Sequence, residues 1–316
     1  MRRSNCVVYC ALFTVCFICP VQAGVVISFE TTTKTAELVT SQSWDTLFLT
    51  ENAMRNNDVK WIPGTFASFS LDTGTQRTAS IAHYDAPTMW RLYPDSGQYY
   101  ELDVILPKVD SQKPAPDERP LIEFGRKDLP KVEWRHAVDE SAAGQRGDDS
   151  CNSVLFLSLG RTEQNGISQI VFYEVCLSSS VPGLRQYQSY QQWDSDRNAA
   201  NGVWAYESQG FDGAMIQQYK QLAQRVVRGD GIPLKSTSLL MYPSSDTVPS
   251  PILDSLYELM DPQHFNPIRN LATVFRSLSG AGEFETLMET KREVTSITEK
   301  EFDLARFSVP ADYQQK

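Results

Sequence analysis

Apolar and polar positions alternate with a period of two through much of the first third of the chain. Ile27, Phe29 and Thr31 alternate with Ser28, Glu30 and Thr32, and Phe69 and Leu71 alternate with Ser68 and Ser70. The turn residues Asp72-Thr73-Gly74 precede a further alternating run at 77–84, and Leu92-Tyr93-Pro94-Asp95-Ser96-Gly97 turns the chain into 98–102. Segments of this kind bury one face and wet the other, and their turn spacing is that of a meandering antiparallel sheet. A second group of strands is expected at 132–136, 154–159, 167–175, 293–297 and 302–309. Gln164-Asn165-Gly166 supplies the turn of a hairpin between the second and third of these.

Elsewhere the period lengthens to that of a helix. Asp212 can cap a stripe of Met215, Tyr219, Leu222, Ala223 and Val226 that stops at Gly229. Ser250-Pro251 opens a helix with Ile252, Leu256, Leu259 and Met260 on one face, and Pro262 stops it. Asn266-Pro267 repeats that start signal ahead of Ile268, Leu271, Phe275 and Leu278. Helices are therefore expected over 212–228, 251–261 and 267–279. The fold class is α+β, mainly antiparallel β. Residues 107–150 carry five prolines and end in a small, polar stretch, so they form a long excursion, with a second, helical one at 243–286.

Composition adds a compartment. Arg2 and Arg3 precede an apolar run from Cys6 to Cys19, and Val21-Gln22-Ala23 is a small-x-small cleavage signal. Residues 1–23 read as a signal peptide, leaving an exported, periplasmic and soluble domain over 24–316. Bulky Ile18 before Cys19 favours ordinary cleavage over lipid attachment. No later stretch has the run of about eighteen apolar residues that a spanning helix needs, so the chain is not membrane-spanning. Cleavage removes two arginines and no acid, moving the net charge from −10 to −12. That balance argues against nucleic acid, whose phosphates are held by Lys and Arg. Four of the six cysteines leave with the signal peptide. The remaining pair, Cys151 and Cys176, flanks the hairpin almost symmetrically, and in an oxidising compartment it is expected to form a disulfide.

Residues in patterns that carry chemistry are sparse. His83, His136 and His264 are scattered without metal-ligand spacing, and no nucleophile elbow, zinc-protease, P-loop or dinucleotide motif is present. Asp194, Asp196 and Asn198 alternate like calcium ligands, but Ala199 and Ala205 occupy the positions of the turn glycine and bidentate glutamate. They read as a plain polar turn, and Arg146-Gly147-Asp148 as a solvated loop. The expectation is a protein that is not an enzyme and uses no cofactor and no metal.

The last third carries a recognisable signature: Gly231-Ile232-Pro233-Leu234-Lys235-Ser236-Thr237, then Glu293-Val294-Thr295-Ser296-Ile297, then Phe307-Ser308-Val309-Pro310-Ala311-Asp312-Tyr313. With Met54-Arg55, Leu92-Tyr93-Pro94 and Tyr99-Tyr100-Glu101 upstream, it resembles a family of uncharacterised exported bacterial proteins related to the Lol-type periplasmic lipoprotein carriers. Asp312 departs from the family's usual glycine, and the excursions at 107–150 and 243–286 are further departures. The resemblance implies a curved, incomplete β-barrel with helices covering its concave face. It implies a binding role for a lipid or a lipoprotein acyl chain, with Met215, Tyr219, Leu222 and Val226 as the candidate ligand-facing stripe. The alternative is an interaction or scaffold component with a packed interior that docks on an envelope protein partner.

Overall fold

The computed structural model describes residues 21–35, 38–62, 74–104, 132–140, 151–163, 166–200, 224–243, 251–262, 264–280 and 284–316. The alternation at 68–71, the loop at 146–148, and Met215, Tyr219 and Leu222 lie outside them. Six strands come first: β1 (Val21–Thr35), β2 (Leu38–Leu49), β3 (Ala53–Ile62), β4 (Gly74–His83), β5 (Thr88–Tyr93) and β6 (Gln98–Asp103). After β7 (Val132–Asp139), β8 (Asn152–Thr162) and β9 (Gly166–Ser178) come helix α1 (Leu184–Ala200), a helical turn at 224–227 and β10 (Ile232–Pro243). Helix α2 (Pro251–Leu259), β11 (Asn266–Pro267), α3 (Leu271–Gly280), β12 (Phe284–Asp303), a 3-10 turn (Leu304–Phe307) and β13 (Gln314–Gln315) complete the chain.

All thirteen strands join one sheet in the order β11-β7-β8-β9-β10-β12-β1-β2-β3-β4-β5-β6-β13. Only the two-residue edge strands pair in parallel, β11 with β7 and β13 with β6; every other pair is antiparallel. The two edges are not bridged to each other among the described residues, so the sheet is unclosed. The expected mainly antiparallel class is thus observed, and the meander predicted in the first third is β1 to β6.

One face of this sheet wraps α1. Tyr187 and Tyr190 of the helix share a cavity with Tyr173 of β9, while Arg197 donates to Met89 Sδ of β5 at 3.3 Å. Ten residues of helix rise about 15 Å. The strands they reach stand seven steps apart, roughly 34 Å across a flat sheet. The sheet is therefore curled around the helix, and this is its inner face. Val25, Ile27, Leu47, Leu49, Met54 and Phe156 form its apolar floor. The start of α1 is pressed onto that floor at Gly183, whose φ is +80° and where an added Cβ would lie 2.5 Å from Val25 Cγ2.

Helix α1 was not expected. Its aliphatic content is low, and the buried stripe consists of Tyr187, Gln191, Trp193 and Asp194, which does not register as apolar periodicity. It also overturns the polar turn read at Asp194 and Asp196. Both acids sit within the helix, Asp194 accepting from Arg197 Nη2 and Asp196 from Gln192 Nε2, each at 2.9 Å.

Helices α2 and α3 do not cover the inner face, as expected from the resemblance, but the outer face at one end. Leu155, Leu157 and Leu159 of β8 and Ile170 and Phe172 of β9 point away from α1 and meet Leu253, Leu256, Tyr257, Leu271 and Phe275. Phe172 and Phe275 stack with centroids 3.9 Å apart. Strand β8 is consequently buried on both faces, which explains its unbroken run Val154-Leu155-Phe156-Leu157.

The buried face of α2 is Leu253, Leu256, Tyr257 and Met260, whereas Ile252 and Leu259 of the expected stripe are exposed. Counting Tyr257 as apolar shifts the stripe by one position. Asn266-Pro267 does not start α3. Those residues add a parallel bridge to β7, and the helix begins at Leu271, whose amide donates to Asp139 Oδ2 at 2.9 Å. The buried carboxylate from β7 supplies the cap that local sequence did not.

At the other end, the outer face of β1 to β5 is covered by the C-terminal signature. Phe302 and Phe307 pack on Ala53, Ala79, Ile81 and Leu92. Arg55 Nη1 donates to the Arg306 carbonyl at 3.1 Å, and His83 Nε2 lies 3.0 Å from the Phe307 carbonyl oxygen. The strand expected at 302–309 is instead the end of β12 and a 3-10 turn, begun by Asp303, whose side chain accepts from the Ala305 amide.

Candidate functional site

Between α1 and the inner face lies a cavity of about 300 Å³. Its walls come from six strands and two helical segments far apart in sequence. Phe29 and Leu47 supply apolar floor from β1 and β2, Val226 closes one side from the turn at 224–227, and Pro233 closes another from β10. Gly231 lets the chain enter β10 there, with φ +140° and with space for an added Cβ blocked by Ser178 backbone at 2.5 Å. Of the expected ligand-facing stripe, Val226 is placed in the cavity wall and is wholly buried.

The rest of the lining is polar but uncharged, with one exception. Tyr173, Tyr187 and Tyr190 contribute rings and hydroxyls, Ser236, Ser238, Thr31 and Thr290 contribute hydroxyls, and Gln191 and Asn56 contribute amides. Gln191 Nε2 donates to Tyr187 Oη at 3.3 Å. The Asn56 Oδ1 atom is buried without a donor among the described residues. Such an acceptor requires a ligand or water donor to offset its desolvation. Arg292 is the one cation among the described lining residues. Strand register places it between Thr31 of β1 and Ser236 of β10, and its guanidinium sits 3.9 Å over the Phe29 ring.

Burial pushes all three tyrosine hydroxyls above their ordinary range, Tyr187 to about 12, and the Arg292 charge pulls each part of the way back. They are therefore protonated at neutral pH and available as donors. All three tyrosines and Arg292 line the same cavity. Sequence reading missed Arg292 because Lys291-Arg292-Glu293 looks like a solvated charge run. Alternation sends Lys291 and Glu293 to the outer face, where they pair with Glu289 and Lys235. It sends Arg292 to the inner face, where the side chain stays exposed beside the cavity.

Away from the cavity, Cys151 and Cys176 form a disulfide with Cα atoms 5.5 Å apart. A bulge between Gly160 and Arg161 shifts the hairpin register, so that Cys176 stands opposite Ser153 and Cys151 reaches it diagonally from just before β8. His83, His136 and His264 make unrelated contacts. His83 holds the C-terminal turn, His136 is bonded to Ser158, and His264 lies beside Asp261. Among the described residues no cluster of three or more metal-ligating side chains occurs, and no helix is long and apolar enough to cross a membrane. No protein-family model matches the chain, and no curated protein matches it.

Proposed function

We propose that this protein is a non-catalytic, exported periplasmic binding protein that holds a hydrophobic group, a lipid or lipoprotein acyl chain, in the cavity between α1 and the inner face of the sheet. The observation that carries the reading is the cavity itself. It lies at the small end of the range of ligand sites, with room for a single chain or ring. Rings of Phe29, Tyr173, Tyr187 and Tyr190, with Leu47 and Val226, give it an apolar body, while hydroxyls and amides give it a polar end. The signal-peptide pattern and the resemblance to Lol-type carriers support the same reading. A scaffold with a packed interior is the alternative, and the volume beside the unpartnered Asn56 oxygen weighs against it.

The test is to purify the protein from an exporting host, extract it with organic solvent and analyse the extract by mass spectrometry. The native protein should then be titrated with an environment-sensitive apolar dye such as N-phenylnaphthylamine. Dye binding should saturate at one site and fall at least tenfold in Ser238→Phe, which puts a ring into the cavity. An empty extract together with equal dye binding by both proteins overturns the proposal.

A further inference from the structure

We infer that the ligand of this cavity carries an anionic head, and that Arg292 is the residue that binds it. The inference rests on the carrier reading above and specifies the ligand class. The chain as a whole carries a net charge of −10, yet among the described residues the cavity lining contains one arginine and no carboxylate. Among the described residues Arg292 forms no ion pair; its contact is the Phe29 ring. Three acids on the inner face are placed by contact or register, and Glu299 stands opposite Val25, seven residues along β12 from Arg292. Asp194 is held by Arg197 at 2.9 Å, and Asp45, next to Phe29 in register, is bonded to Asp58 across the β2–β3 pair.

Around Arg292 the groups are hydroxyls that can donate, with Tyr173 and Ser236 hydrogen-bonded to each other. Ser236 and Thr31 flank it in register, and the hydroxyls of Tyr173, Tyr187 and Tyr190 feel its charge. A planar guanidinium beside several O–H donors matches a carboxylate or a phosphate oxygen cluster. The Phe29 ring holds the guanidinium by its flat face, 3.9 Å from the ring centroid. An amphiphile can therefore lay its tail over Phe29, Leu47 and Val226 with its head at Arg292. Arg292 is exposed, so the head sits at the wet end of the cavity and loses little hydration.

Four ten-carbon probes at pH 8 test this: decanoate, decyl phosphate, 1-decanol and decyltrimethylammonium, each titrated calorimetrically into the intact protein. At least one anion should bind about tenfold tighter than decanol, the span of one charge-assisted hydrogen-bonded contact. The ammonium should bind weakest. Decanoate against decyl phosphate then distinguishes a carboxylate head from a phosphate head. Arg292→Gln should bring the anions down to the decanol level and leave decanol within about twofold, and Arg292→Lys should recover part of the preference. Added salt should weaken the anions and not decanol, a check that needs no variant. Equal binding of decanol and both anions overturns the anionic head and leaves the carrier reading standing. Failure of all four probes to bind overturns both.

Discussion

His136 shows how one buried side chain sets a pH limit for the fold. It is 8% exposed, its Nδ1 lies 2.8 Å from Ser158 Oγ, and its ring is 5.1 Å from that of Phe265. Burial disfavours the imidazolium and lowers the pKa from 6.5 to about 4. A depressed folded pKa contributes stability above the unfolded value that is lost as pH falls toward the folded one. Thermal unfolding should therefore show a loss on the order of 1.5 kcal/mol between pH 6.5 and 5, before most carboxylates titrate. His136→Gln keeps a hydrogen-bonding group and removes the titration, so its melting temperature should change much less over that interval. A parallel pH profile for the two proteins would show that His136 is not the titrating group. At this scale the sequence was nearly silent, because burial depends on what β7, β8 and Phe265 bring to the ring, and none of that is local.

Helix α2 illustrates how a stripe can be legible and still be misaligned. A helix starting at Pro251 follows from the Ser-Pro signal, but which apolar residues face the sheet is decided by Tyr257. Its ring lies under the Arg135 guanidinium, 4.2 Å from the centroid, and its hydroxyl donates to the Glu133 carbonyl at 3.2 Å. That anchoring turns Leu253 fully inward and leaves Ile252 56% exposed. Truncating Leu253 to Ala should cost about 2–5 kcal/mol, whereas Ile252→Ala should change stability by no more than about 0.5 kcal/mol. Chemical denaturation of the two variants checks this, and similar costs would mean that α2 does not pack as described. For α3 the register was right at Leu271 and Phe275 and the start was wrong. Its cap comes from Asp139, 132 residues upstream, and no window of the sequence around Asn266 contains that carboxylate.

The described residues build one sheet whose two ends are covered on the outer face and whose middle is covered on the inner face by α1. Cys151 and Cys176 fasten the base of the β8–β9 hairpin, with a sequence separation of 25 residues. In protein from an exporting host these cysteines should resist alkylation until reduced, and reduction should lower stability by about 3 kcal/mol. Full labelling of both without reductant would refute the link.

The strands at 27–32, 77–84, 98–102, 132–136, 154–159, 167–175 and 293–297, the antiparallel class, the hairpin and its cysteine pair were legible in the sequence, because each is a matter of local period or of neighbours across one turn. The curl, the faces and the site were not. They depend on β12 lying between β10 and β1, so that Thr31 and Arg292 become neighbours across most of the chain. They depend also on a helix whose buried stripe is tyrosine, tryptophan and glutamine. Alternation tells which residues share a face. Only the tertiary structure decides which face closes around something, since that follows from long-range pairing and from the volume left between strands and helix.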